Sequence, residues 1–132
     1  MKPVTYLQSS LCVLFGAQVD QYTDENNVQR IVTPMRYSES RDHIVIRVRP
    51  TPTAIQIDEA GDAAMYSALA GGNTGTEHLV RWEKALAETS PVRIDADDVL
   101  VATTTDPHRV PGYVFRVAEA AQQFYTLATA SA

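Results

Sequence analysis

Between Val28 and Asp58 the chain holds three stretches of β-type residues joined by connections of only a few residues. No other feature limits the fold as much. The middle stretch, His43 to Arg49, is the clearest: Ile44, Ile46 and Val48 alternate with Val45, Arg47 and Arg49. That period of two gives a strand one buried and one open face. Before it, residues 28–37 carry Val28, Ile31, Val32, Thr33, Met35 and Tyr37. Pro34 within them has no N–H to donate, which predicts an edge position or a bulge. After it, Ala54 to Asp58 places Ile55 and Ile57 on one side. A parallel pair would need a crossover of a dozen or more residues, so the three strands form an antiparallel meander.

Helical periodicity governs most of the remainder. Residues 3–17 put Val4, Leu7, Leu11, Leu14 and Phe15 on one face, with Pro3 at the first turn and Gly16 as the stop. Residues 18–23 read as a short strand with Val19 and Tyr22 inward, before the turn-prone Asp24–Asn27. Glu59–Ala70 is helical, with Ala60, Ala63, Ala64, Met65, Ala68 and Leu69 as its apolar positions and Gly71 and Gly72 after it. A second helix, Glu77–Glu88, is capped by Thr74 in a capping box or by Thr76, and buries Leu79, Trp82 and Leu86. Val92–Ile94 and Val99–Ala102 are short strands around an acidic turn, and a last helix runs from about Pro111 to Leu127. Strands grouped before helices indicate α+β rather than alternating α/β. The predicted order is N-terminal helix, antiparallel β-meander, two central helices, short strand pair and long C-terminal helix. All of it fits one globular domain over residues 1–132. A chain of this length buries about two-thirds of its unfolded surface and needs no metal or disulfide to fold.

Several classes are excluded or disfavoured. No apolar run reaches the length of about 18 residues that a transmembrane helix needs. Leu11–Phe15 is too short for a secretory core, so a cytoplasmic protein with no membrane partner is expected. Cys12 is the only cysteine, which rules out an internal disulfide or a thiolate zinc cage and reads as a small buried hydrophobe. His43, His78 and His108 have no second ligand at metal-type spacing. No phosphate-binding loop occurs, since Gly71, Gly72 and Gly75 have no lysine after them, and no serine sits in a nucleophile elbow. Neither a cofactor nor a metal is expected.

Charge is the remaining signal. The net charge is −5, but it is unevenly laid out. Arg30, Arg36, Arg41, Arg47 and Arg49 face only Glu39 and Asp42 between residues 30 and 52, whereas residues 53–106 hold ten acids and three bases. Asp58, Glu59 and Asp62 stand at a strand-to-helix junction. Carboxylates there favour the first helical turn through its partial positive charge, and the same residues are the candidates for a divalent-metal site. Asp95, Asp97 and Asp98 resemble half a calcium loop but have no Gly or Glu at the required later positions, so they read as a solvated turn. Arg30, Arg36, Arg47 and Arg49, with Tyr37 close by, could form a basic sheet face for single-stranded nucleic acid or an acidic protein, or simply a solvated outer face.

The stretches Ile31-Val32-Thr33-Pro34, His43-Ile44-Val45-Ile46 and Ile55-Gln56-Ile57-Asp58-Glu59-Ala60-Gly61, followed by a helix reaching Leu69, resemble the domain of unknown function 1828 family. Arg81 in the later helix, the strand at Val99–Val101 and the final helix extend the likeness over most of the chain. That family usually has Thr-Asp-Asp-Gly at the junction; here Glu59 and Ala60 stand where the two acids would be. The resemblance implies an architecture and a setting in bacteria, phages and mobile elements, but no activity. The resulting expectation is a small non-enzymatic protein-interaction domain. Its most concrete form is an anti-CRISPR-like inhibitor of a bacterial defence complex, acting through an acidic surface of Asp58, Glu59, Asp62, Asp95, Asp97 and Asp98. The alternatives are a nucleic-acid-binding module on the arginine-bearing sheet and a carboxylate- or metal-dependent enzyme. A protein partner is expected ahead of nucleic acid, and a homodimer is compatible with the sequence.

Overall fold

A computed structural model describes residues 7–39 and 41–130. The architecture is α+β, in the predicted order. Helix α1 (Leu7–Phe15) precedes strands β1 (Asp20–Thr23), β2 (Gln29–Arg36), β3 (His43–Pro50) and β4 (Ile55–Asp58). Helices α2 (Asp62–Leu69) and α3 (Glu77–Thr89) follow, then β5 (Arg93–Ile94), β6 (Leu100–Thr104) and α4 (Val110–Thr129). The expected start of α1, with Pro3 and Val4, lies outside the described residues. No helix among the described residues is long and apolar enough to cross a membrane.

The meander and the later strand pair join into one antiparallel sheet of order β1-β2-β3-β4-β6-β5. The period-two pattern decides which side chains go in. Ile31, Ile44, Ile46, Val48, Ile55, Ile57, Leu100 and Ala102 are all buried on one face. Helix α4 lies across that face against β2, β3, β4 and β6. It contributes a stripe running from Val110 through Val114, Val117, Ala121 and Phe124 to Ala128. The helices α1, α2 and α3 pack on α4 rather than on the sheet's other face. Among the described residues, no helical layer lies over the opposite face of the sheet.

Pro34 sits where the β2–β3 register shifts, between Val32 and Arg36, so the predicted bulge is present. Thr33 Oγ1 donates to Ile44 O at 2.8 Å inside it, and His43 Nδ1 lies 2.8 Å from Thr33 O. The backbone oxygen of Arg36 accepts from Gln122 Nε2 on α4. With Pro34 lacking an N–H, this free stretch of β2 presents few backbone groups to another strand.

The hairpins at the two edges of the sheet turn in the same way. Asp24 Oδ1 accepts from the N–H groups of Asn26 and Val28 at 2.9 and 3.0 Å, and Asn27 takes φ 60°. Asp95 Oδ1 accepts from Asp97 and Val99 at 2.8 and 3.0 Å, and Asp98 takes φ 59°. Asn and Asp tolerate that left-handed conformation better than other side chains do.

Three expectations about the core are corrected. Leu14 is 45% exposed, Tyr22 50%, and Met65 and Leu69 face solvent at 47% and 69%. On α2 the buried positions are Ala63 and Ser67, whose small side chains let the helix sit close beneath α4. Thr76 rather than Thr74 caps α3, accepting from Leu79 N.

Candidate functional site: the sheet face left open by the helices

The six carboxylates read from sequence as one acidic surface do not form one. Asp58 and Glu59 are both fully buried, which removes them from any surface. Asp58 ends β4 and Glu59 follows it, and the two point to opposite sides of the sheet. Asp58 lies on the open side beneath two guanidiniums: Arg47 Nε donates to Oδ1 at 2.6 Å and Arg49 Nη2 to Oδ2 at 2.9 Å. Gln56 Nε2 and the Ala60 N–H add bonds of 3.1 and 2.9 Å.

Glu59 turns into the core and meets only backbone. Its Oε1 accepts from Gly61 N at 3.0 Å and Leu100 N at 2.9 Å, and its Oε2 from Ala63 N at 2.8 Å. One side chain thus caps the first turn of α2 and fastens it to the first residue of β6, satisfying donors that a helix start leaves open. Burial pushes its carboxyl up to about 7, against the pull of these three N–H groups. Ala60 and Gly61, at φ 64° and 80°, make the left-handed corner that lets the carboxylate curl back. The metal reading fails here because both acids have all their oxygens occupied. Among the described residues no three His, Cys, Asp or Glu side chains gather as a metal site.

Asp62, half-buried at the start of α2, is not in an ion pair among the described residues. Burial raises its carboxyl above the ordinary range, with Arg30 and Arg47 pulling the other way. Asp95, Asp97 and Asp98 are exposed in the β5–β6 turn, whose end meets the β4–α2 corner at Val99 and Leu100.

The basic residues fare differently. Register places Tyr22, Arg30, Arg47, Asp58, Val101 and Arg93 in one row across all six strands, on the open face. Arg49, Gln56 and Thr103 form a neighbouring row, and Asp20, Val32 and Val45 another. Arg30 Nε is bound by Asp24 Oδ2 at 3.0 Å, and the Val28 N–H, with further help from Arg30 and Asn26, holds the Asp24 carboxyl below its usual range. Each of the three arginines is therefore fixed by an acid that is itself mostly or wholly covered: Asp24 is 16% exposed and Asp58 0%, while Arg30, Arg47 and Arg49 are 28%, 22% and 36% exposed. A partner approaching this face meets cations first.

Arg36 reaches the same face beyond the bulge, exposed, with Nη1 donating to Arg41 O. Tyr37 does not join it. It is 2% exposed and stacks between Tyr66 and Tyr125, with ring centroids 5.1 and 5.8 Å apart, so it belongs to the core beneath α2 and α4. Nearness in sequence grouped Tyr37 with the arginines, but it follows Arg36 directly and so points to the other side. The roles of Asp24 and Glu59 were missed from sequence. Alternation counted through Ile55, Ile57 and Glu59 would have turned Glu59 inward, and the Asp-x-x-Asn turn pattern marks Asp24.

No family model, curated protein or solved structure matches this chain.

Proposed function

We propose that this chain is a small non-enzymatic protein-interaction domain whose working surface is the helix-free face of its sheet. One observation carries the reading: Arg30, Arg47 and Arg49 are held on that face by carboxylates lying beneath them. Arginine placed and oriented in this way suits interfaces, where a planar fork of donors meets an acceptor at little further ordering cost. Val32 and Val45, paired directly across two strands, add apolar area where a solvated sheet would carry polar side chains.

The acidic surface survives in this proposal only as the β5–β6 turn. Asp95, Asp97 and Asp98 stay exposed there, and a mobile-element inhibitor of a bacterial defence complex would present them to a nucleic-acid-binding channel. The resemblance to the domain of unknown function 1828 family directs the search for a partner to bacteria, phages and mobile elements.

The test is a tagged pulldown from bacterial lysate, with and without nuclease, washed at low and high salt. A protein retained after nuclease and reduced by Arg47→Gln supports the open-face reading. Retention reduced only by Asp97→Asn with Asp98→Asn supports the turn. Recovery abolished by nuclease overturns both and assigns the face to nucleic acid.

A further inference from the structure

Arg30 and Arg47 stand directly opposite each other across β2 and β3. Like charges in that relation destabilise a sheet unless they are balanced, and here each is balanced by its own acid. Both use Nε for their anchoring bonds, Arg30 to Asp24 and Arg47 to Asp58. That leaves the terminal Nη groups of both guanidiniums for a further acceptor, their anchors lying to either side of the pair, Asp24 after β1 and Asp58 on β4. Asp62, whose carboxyl both arginines pull down, pairs with neither, and exposed Asp20 stands in the next row of the same face. Tyr22, half exposed, is next to Arg30 in the same row.

We infer that the adjacent Arg30 and Arg47 form a subsite for a carboxylate on an acidic, extended segment of a partner protein, with Asp24 and Asp58 as the residues that position the two forks. The inference rests on the protein-binding role proposed above and names the chemistry of the partner. An oxyanion over this pair of strands accepts charge-assisted hydrogen bonds from the Nη groups that the anchoring bonds leave over. A protein carboxylate fits better than nucleic acid because the chain as a whole carries −5, which opposes a long polyanion more than a short acidic segment.

The experiment is a titration of the full chain with a short Glu-rich peptide and, separately, with oligothymidine, at low and high salt. Wild type is compared with Arg30→Gln and with Arg116→Gln, an exposed arginine on α4. Thermal melts confirm that both variants fold. The expected result is peptide binding weakened about tenfold by Arg30→Gln and unchanged by Arg116→Gln, with the loss greatest at low salt. Equal weakening by both variants, absence of peptide binding to wild type, or tighter binding of oligothymidine overturns the subsite. A captured protein partner separates this failure from failure of the face. If the partner binds Arg30→Gln as well as wild type but is blocked by Thr103→Trp on the same face, the face stands and the carboxylate subsite falls. If neither change matters, both fall.

Discussion

Asp58 and Glu59 are neighbours in the chain, equally inaccessible, and solve the problem of a buried negative charge in opposite ways. Asp58 is neutralised by two guanidiniums from the next strand. Glu59 has no cation against it and depends on three backbone N–H groups from two elements. The first solution leaves an arrangement of cations facing outward. The second joins α2 to β6 and presents nothing outside. A pair of acids at a strand end can therefore serve one face for binding and the other for folding.

Removing Glu59 should break the comparison most severely. Glu59→Ala strands three N–H groups, two of them in fully buried bonds, and is expected to cost about 4 kcal/mol in urea unfolding. Asp58→Asn leaves Arg47 and Arg49 unbalanced on a half-open face. About 2–3 kcal/mol is expected there, toward the low end for a broken buried pair because the arginines are partly solvated; a double-mutant cycle with Arg47→Gln would isolate the pair itself.

pH sharpens the contrast further. Glu59's carboxyl is pushed up to about 7 in the fold from 4.5, so its contribution to stability is whole below about pH 4.5 and lost as pH rises through about 7. Urea midpoints measured between these limits should fall by an amount worth about 3 kcal/mol, and the fall should be flattened in Glu59→Gln. A slope that persists in that variant would assign the effect to another group.

The smallest expected effect lies at the corner between the two acids and the helix. Ala60 occupies a left-handed conformation that costs a side-chain-bearing residue about 1 kcal/mol, so Ala60→Gly should stabilise by about 0.5 kcal/mol after the added freedom of the unfolded chain is counted. Destabilisation instead would mean that the Ala60 methyl packs usefully.

The strands of the meander were legible because β3 alternates without interruption and its neighbours are too close for a crossover. The final helix was legible from its broad apolar stripe. What escaped depended on local breaks in pattern. Alanine-rich α2 offers no dominant face, so Met65 and Leu69 could be placed inside as readily as out, and close packing chose Ala63 and Ser67 instead. Tyr37 was grouped with the arginines by nearness in sequence, whereas the residue after Arg36 faces the other way. The acidic cluster was read as a unit because charge was summed along the chain, whereas a strand sends successive side chains to opposite sides. That β6 would pair with β4 had no local signal at all.

That pairing has a kinetic meaning. The hairpins β1–β2 and β5–β6 close over a few residues, each with an aspartate that organises its own turn, and such local contacts form early in folding. The bond from Leu100 to Glu59 spans 41 positions and cannot form until both regions are in place. The carboxylate of Glu59 is then the latch at the end of assembly: until it engages, β4 has one free edge, and the two halves of the sheet are separate pieces of a chain still exposed to wrong pairings.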